Sequence, residues 1–255
     1  MPNSMKFGFK DIDDRVRDKA LREIGEFGYT RLGMPLDVNI VEALSKLSQT
    51  AWSLPRDIYY KDGVRYRTLN RYQVLLSADE IEISCDDTDQ PYFQNRNYNT
   101  TLGGIDREYP PLPSDVSFHE GLCRLICSYV CRLPLSETTR EFQVNLHTMR
   151  FAATLDKPCD TSPPGFHKDG EKYIAVTMLS FCGCNGGEVH IADNSKVEKD
   201  RFTMRQMGES YIIDDDMVWH KLSPVSVSEG ARFAIRDVAL FDFIPKTAAL
   251  GVSAP

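Results

Sequence analysis

From Phe142 onward the chain reads FQVNLHTMRFA (142–152), YIAVTMLSF (173–181), GEVHIA (187–192), RFTMRQ (201–206), SYIID (210–214) and ARFAIRDVALFDF (231–243). Each run is short, rich in β-branched and aromatic residues, and bounded by Gly, Pro, Asp or Asn, which is the pattern of antiparallel strands joined by turns. Upstream the period changes. Residues 11–27 and 38–52 carry apolar side chains at helical spacing (Val16, Ala20, Ile24; Val41, Leu44, Leu47), as do residues 116–133, while 64–83 reads as short strands rich in Tyr, Arg and Val. Helices followed by six or more short strands predict a mostly β protein with N-terminal helices packed on a β-sandwich or jelly roll. The Pro-rich pieces REYPPLPSD (107–115) and DTSPPGF (160–166) mark the breaks. The expected organisation is a single domain over residues 1–255: a helical N-terminal layer with short strands (1–140), a β core (141–245) and a flexible tail (246–255).

Composition narrows the function classes. With 255 residues, 42% hydrophobic and 26% charged, the chain has ample material for a core and is not disordered over most of its length. A net charge of −7 with scattered Lys and Arg leaves no electrostatic footprint for a nucleic-acid partner. Charges interrupt the first twenty residues, so no secretory signal is read there, and the most apolar stretch, residues 173–184, falls short of the ~20 residues of a membrane helix. A cytoplasmic protein is expected. An odd count of seven cysteines favours reduced thiols. A homodimer is left open.

The chemistry-bearing group is Gly165-Phe166-His167-Lys168-Asp169-Gly170. In extended chain, residues i and i+2 project to one side, so His167 and Asp169 aim together and Lys168 aims away. A second imidazole, His220, ends a predicted strand in DDDMVWHKLSP. Two neutral imidazoles and one carboxylate on one face of a metal ion leave three octahedral positions open, the facial arrangement of a non-haem Fe(II) oxygenase. The last strand supplies Arg232 and Arg236 on one side by alternation, among Ala234, Val238 and Leu240. A buried arginine requires an anion, and a dicarboxylate that chelates iron at one end and meets the guanidinium at the other is 2-oxoglutarate.

These pieces, HKDG (167–170), Gly186-Gly187-Glu188, Asp215-Asp216 before Val218-Trp219-His220, and Arg236-Asp237-Val238, resemble the 2-oxoglutarate/Fe(II) dioxygenase family that includes bacterial L-isoleucine 4-hydroxylase. The resemblance extends upstream through Arg65-Tyr66-Arg67, Pro91-Tyr92-Phe93-Gln94, Gly103-Gly104 and His147-Thr148-Met149-Arg150, and so covers residues 63–244. It implies a double-stranded β-helix (cupin-like) core. It implies that His167, Asp169 and His220 hold Fe(II) and that Arg236 holds the distal carboxylate of 2-oxoglutarate, with Arg232 as second choice. It also implies dioxygen as co-substrate and hydroxylation of an unactivated C–H bond coupled to decarboxylation of 2-oxoglutarate. Retention of Asp169 favours hydroxylation or desaturation over halogenation, because related halogenases have a small residue there.

Other candidates carry plainer readings. Cys123, Cys127 and Cys131 share a helix face and read as buried small residues. Cys182-Gly183-Cys184 suits a tight turn. His147 lines the barrel or packs; Asp214–Asp216 form a turn that also reaches neighbours of His220. A free amino-acid substrate needs a cation for its carboxylate and an acceptor for its ammonium. Arg150 is the first candidate for the carboxylate, with Arg65 and Arg67 as rivals, and Gln94 and Asn97 offer polar contacts from a loop over the site. Three functions compete: hydroxylation of a free L-amino acid or similar small metabolite, oxygenation of a peptide or other macromolecule, and a non-catalytic metal-binding barrel.

Overall fold

Alternation along the long strands decides which side of the main sheet each residue reaches. The computed structural model describes residues 4–8, 14–35, 37–60, 64–86, 88, 90–99, 102–136, 139–161, 163 and 165–246. The strands are β1 (Ser4–Gly8), β2 (Tyr29–Leu32), β3 (Val64–Leu76), β4 (Glu80–Cys85), β5 (Glu141–Thr154), β6 (Tyr173–Cys182) and β7 (Cys184–Gly186). They continue with β8 (Val189–Asp193), β9 (Glu198–Phe202), β10 (Ser210–Asp214), β11 (Val218–Leu222), β12 (Val225–Val227) and β13 (Phe233–Pro245). The helices are α1 (Asp14–Phe27), α2 (Val38–Thr50), α3 (Ser114–Ser117) and α4 (Glu120–Val130). The main sheet runs β1-β4-β3-β5-β13-β6-β10-β2, and smaller sheets of β11-β8-β9 and β12-β7 complete the architecture.

Residues of opposite parity enter different cores. Phe142, Val144 and Leu146 of β5 and Ala239, Phe241 and Phe243 of β13 join the helix-side core with Ile24, Leu44, Leu47 and Leu122. Met149 and Phe151 of β5 and Ala234 and Val238 of β13 instead pack with Val189, Ile191 and Val218 of the small sheet. Two facing antiparallel sheets with helices on the outer side are the expected jelly roll. Because β3 pairs with β5 over twelve residues and β5 with β13 over thirteen, the residues N-terminal to 141 extend the same sheet that the later strands build.

Local departures have local causes. The helix read over 116–133 breaks at Phe118–His119, where His119 Nδ1 accepts from Gly121 N at 3.2 Å and starts α4 afresh. Asp37 caps α2 through the N–H groups of Asn39 and Ile40, and the chain leaves that helix through a 3-10 turn at Ala51–Ser53. The strand read at 201–206 lies earlier, at Glu198–Phe202. Glu209 Oε2 accepts from the N–H groups of Arg205 and Gln206 (2.6 and 2.9 Å) and turns the chain there. The short strands read at 64–83 are one long strand and its partner, because β5 offers β3 an edge of matching length. Cys123 and Cys127 pack on the buried face of α4, and burial pushes the Cys123 thiol up to about 12. Residues 11–13 of the first helix read from sequence, and 247–255 of the tail, lie outside the described residues. No helix among the described residues is long and apolar enough to cross a membrane.

Candidate active site

His167 and His220 meet as a bridge between otherwise separate segments. Each backbone N–H donates to the other's carbonyl (2.9 and 3.1 Å), so the two side chains leave on one side with ring centroids 4.4 Å apart. Asp169, two residues along, turns its carboxylate to the same point. Oδ2 lies 3.4 Å from His220 Nε2 and Oδ1 lies 4.0 Å from His167 Nε2. One ligand atom from each of the three falls within 4.8 Å of the others. Lys168 points away, onto Asn194 and the Asp216 carbonyl.

Neighbouring groups set the protonation and aim of these side chains. His167 Nδ1 donates to the Gly165 carbonyl at 3.2 Å, which leaves the Nε2 lone pair facing Asp169. Burial and the adjacent His220 push His167 down to about 4, so its ring is neutral at pH 7. Burial opposes ionisation of Asp169, but its hydrogen bond with His220 and the charges of His220 and His167 outweigh that and hold the carboxyl below the ordinary range. Asp215, from the turn before β11, accepts from the N–H groups of Asp169 and Gly170 at 3.0 and 2.8 Å, fixing the loop that carries Asp169. Its other oxygen stands 3.7 Å from His220 Nδ1. Asp215 thus stands beside His220 itself, where the sequence reading had the turn reaching only its neighbours, and also holds the other segment.

Alternation along β13 places Arg236, Val238, Leu240 and Asp242 in one row on the cavity wall. Arg236 is 2% exposed and forms no hydrogen bond or ion pair among the described residues; its Nε is buried without a partner. Burying a guanidinium without a counter-ion is costly, so this environment favours an anion beside it. Gly187, at φ +67, sits so close that an added Cβ would stand 3.2 Å from Arg236 Cδ, so the GGE motif gives the arginine stem its room. Arg232 is corrected: it lies before the strand begins, is exposed and does not line the cavity, because the alternation that was extended back to it starts only at Phe233.

Arg150 is corrected as well. As an even-numbered residue of β5 it faces away from the cavity. There its Nε and Nη2 donate to Oδ1 and Oδ2 of Asp237 at 2.8 and 2.7 Å, and its guanidinium stacks on Trp52. Removing one partner strands the other, so Arg150→Met is expected to cost about 3–5 kcal/mol of stability. The variant should therefore melt several degrees lower while its substrate KM stays within twofold of wild type; a large rise in KM at unchanged melting temperature would return Arg150 to the site. The odd-numbered rivals Arg65 and Arg67 do line the cavity, with Gln94, whereas Asn97 is exposed. Asp57 faces Arg65 at 3.3 Å and neutralises it. His147 is fully buried between Arg67 and Asp242.

A family model described as 2OG-Fe dioxygenase matches residues 49–242. The chain belongs to this family. Among its relatives, 3(1)-hydroxy-L-isoleucine 4-dioxygenase of Pantoea ananatis (strain AJ13355) is 28% identical over 162 residues, covering 60% of this chain and 63% of that protein, just under two thirds of its length. L-isoleucine-4-hydroxylase of Bacillus thuringiensis is 22% identical over 245 residues, 94% of this chain and 98% of that protein. The crystal structure of a bsmA homolog from Methylobium petroleophilum PM1 matches with a TM-score of 0.76 at 22% identity, covering 91% of this chain and 96% of that one, a likeness of fold. The dioxygenase core is thus the double-stranded β-helix expected from the sequence.

The residues of this dioxygenase fit the family's Fe(II), 2-oxoglutarate and dioxygen. The donor set is two imidazoles and a carboxylate, which suits a divalent iron with vacant positions. The partnerless Arg236 fits the far carboxylate of the co-substrate. The sequence reading missed Arg107, Tyr60 and Asp242 on the cavity wall. Asp242 was within reach, since it shares the parity of Arg236 on the same strand. Arg107 and Tyr60 were not, because each comes from a loop without periodicity.

Proposed function

We propose that this dioxygenase hydroxylates an unactivated C–H bond of a free L-amino acid or similar small metabolite in the cytoplasm, without a nucleic-acid partner. The observation that carries this reading is one cavity lined both by the His167–Asp169–His220 cluster and by a second group of buried charged side chains, Arg67, Arg107 and Asp242. The two relatives named for isoleucine chemistry support the substrate class.

In this reading His167, Asp169 and His220 hold Fe(II), and Arg236 grips the distal carboxylate of 2-oxoglutarate with its planar fork. When bound, Fe(II), 2-oxoglutarate and dioxygen supply the oxidising chemistry: the co-substrate becomes succinate and carbon dioxide, and one oxygen atom goes to the substrate. The chain's own part is placement. Asp215 keeps the Asp169 loop rigid, Gly165 fixes the His167 tautomer, and apolar Val238, Leu240 and Leu222 exclude water between the charged ends. The residues assigned to the substrate end are Arg67 and Arg107, with Gln94 holding Arg107 in place. A homodimer is compatible with this reading and plays no part in it.

The test is incubation of purified protein with Fe(II), ascorbate and 2-oxoglutarate against each of the twenty amino acids, followed by succinate and by mass. Succinate formation with a gain of one oxygen on an amino acid is expected. Succinate formed only with peptides would move the function to a macromolecular substrate.

A further inference from the structure

At the end of the cavity away from Arg236, one buried carboxylate and two buried guanidiniums gather around a single tyrosine. The guanidinium carbons of Arg67 and Arg107 lie 5.1 and 4.8 Å from the centroid of the Tyr92 ring, and the Tyr92 hydroxyl donates to Asp242 Oδ2 at 3.5 Å. The described residues give Arg67 and Arg107 no carboxylate partner.

Donor chemistry fixes the protons. A guanidinium has N–H groups and no lone pair, so Arg67, with Nε at 3.2 Å and Nη2 at 2.9 Å, donates to His147 Nδ1. The ring hydrogen of His147 is therefore on Nε2, which donates to Asp242 Oδ2 at 3.0 Å. Burial and nearby arginines hold His147 well below its ordinary pKa, so the ring between them is neutral. With Oδ2 held by His147 and Tyr92, Asp242 is aimed, and its Oδ1 receives no hydrogen bond from the described residues. Burial drives the Asp242 carboxyl well above the usual range, and a cation arriving at Oδ1 would favour its ionised form.

Arg107 is aimed by another route. It is 1% exposed, its Nη2 donates to Gln94 Oε1 at 2.8 Å, and its Nε is buried without a partner. Gln94 is itself fixed by Asn99 Nδ2 at 3.0 Å and donates to the Asp169 carbonyl at 3.2 Å. The same amide therefore ties Arg107 to the segment that carries the metal ligand.

We propose that this end of the cavity is a clamp for a free α-amino acid head group, with Asp242 taking the ammonium and Arg107 the carboxylate. His147 and Gln94 act as positioning residues. The assignment rests on the amino-acid reading above and sharpens it: both ends of the head group must be free, and the side chain is left to point toward the metal cluster. A dicarboxylate without an amine would set an anion against Asp242. A residue inside a peptide offers neither charge. Leaving either charge buried and unpaired costs more than the other contacts return.

The test uses the amino acid that the iron-loaded enzyme converts fastest among the twenty, together with its 2-hydroxy acid analogue, its N-acetyl derivative and its amide. The expected result is about 100-fold weaker binding of the 2-hydroxy acid by wild type, measured by calorimetry with Mn(II) and 2-oxoglutarate bound. Asp242→Asn should reduce that amine-over-hydroxyl preference to a few-fold. Arg107→Gln should bring the free acid and its amide to similar affinity. These are ratios within one variant, so a partly destabilised protein still reports them, and Asp242→Glu is expected to restore part of the preference. An unchanged preference in Asp242→Asn, or N-acetyl and free substrates turned over alike, would overturn the clamp and leave the amino-acid hydroxylase reading standing. Conversion of none of the twenty would overturn both.

Discussion

Asp169→Ala is expected to lower 2-oxoglutarate-dependent hydroxylation by at least about 10³-fold and to weaken Fe(II) binding measurably. The carboxylate is the one anionic donor of the cluster, 3.4 Å from His220 Nε2, and no other carboxylate lies in that group. Without it the site offers two neutral rings from two segments, too few charges and too few ligands to hold a divalent ion in place. Iron content after desalting and succinate release read the two effects separately. Full hydroxylase activity in the alanine variant would refute the assignment of the three ligands.

The second large effect concerns Arg236. Arg236→Met is expected to raise the KM for 2-oxoglutarate by about 100-fold or more, the consequence of truncating one partner of a buried, hydrogen-bonded charge pair. The apoprotein supplies the contrast. In it Arg236 is buried without an ion pair among the described residues, Asp237 being paired with Arg150 on the other face of the strand, and burial already pulls its pKa down. Its replacement by an apolar chain of similar length removes a desolvation cost and breaks no hydrogen bond, so the apoprotein should melt no lower than wild type. Weaker co-substrate use at undiminished stability is the signature of a binding residue. A drop of many degrees with an unchanged KM would mark Arg236 as structural, and an equal rise in KM from Arg232→Ala would restore the discarded alternative.

Some of the site was legible because it follows local rules. The H-x-D spacing in extended chain placed His167 and Asp169 together, and strand alternation placed Arg236 inward. The same rule misled when its starting point was wrong. Arg232 was counted into a strand that begins one residue later, and Arg150 was weighed as a ligand although its neighbours Met149 and Phe151 carry the inward parity of β5. Parity along one strand is a short-range property; which parity faces the cavity depends on the sheet it joins.

The sequence alone indicated most element types, the mostly β class and the common aim of His167 and Asp169, because hydrophobic period and i, i+2 geometry are set within a few bonds of each residue; it took the structure to bring His220, from a distant segment, beside them. Only the tertiary structure decided which cations are left without acids. Arg150 found Asp237 and Arg65 found Asp57, whereas Arg107 and Arg236, from a loop and a strand far apart in the chain, reach the cavity unpaired. Pairing of charges is a matter of a few ångströms between segments distant in sequence, and it is fixed only when the sheet register and the packing of the loops are fixed.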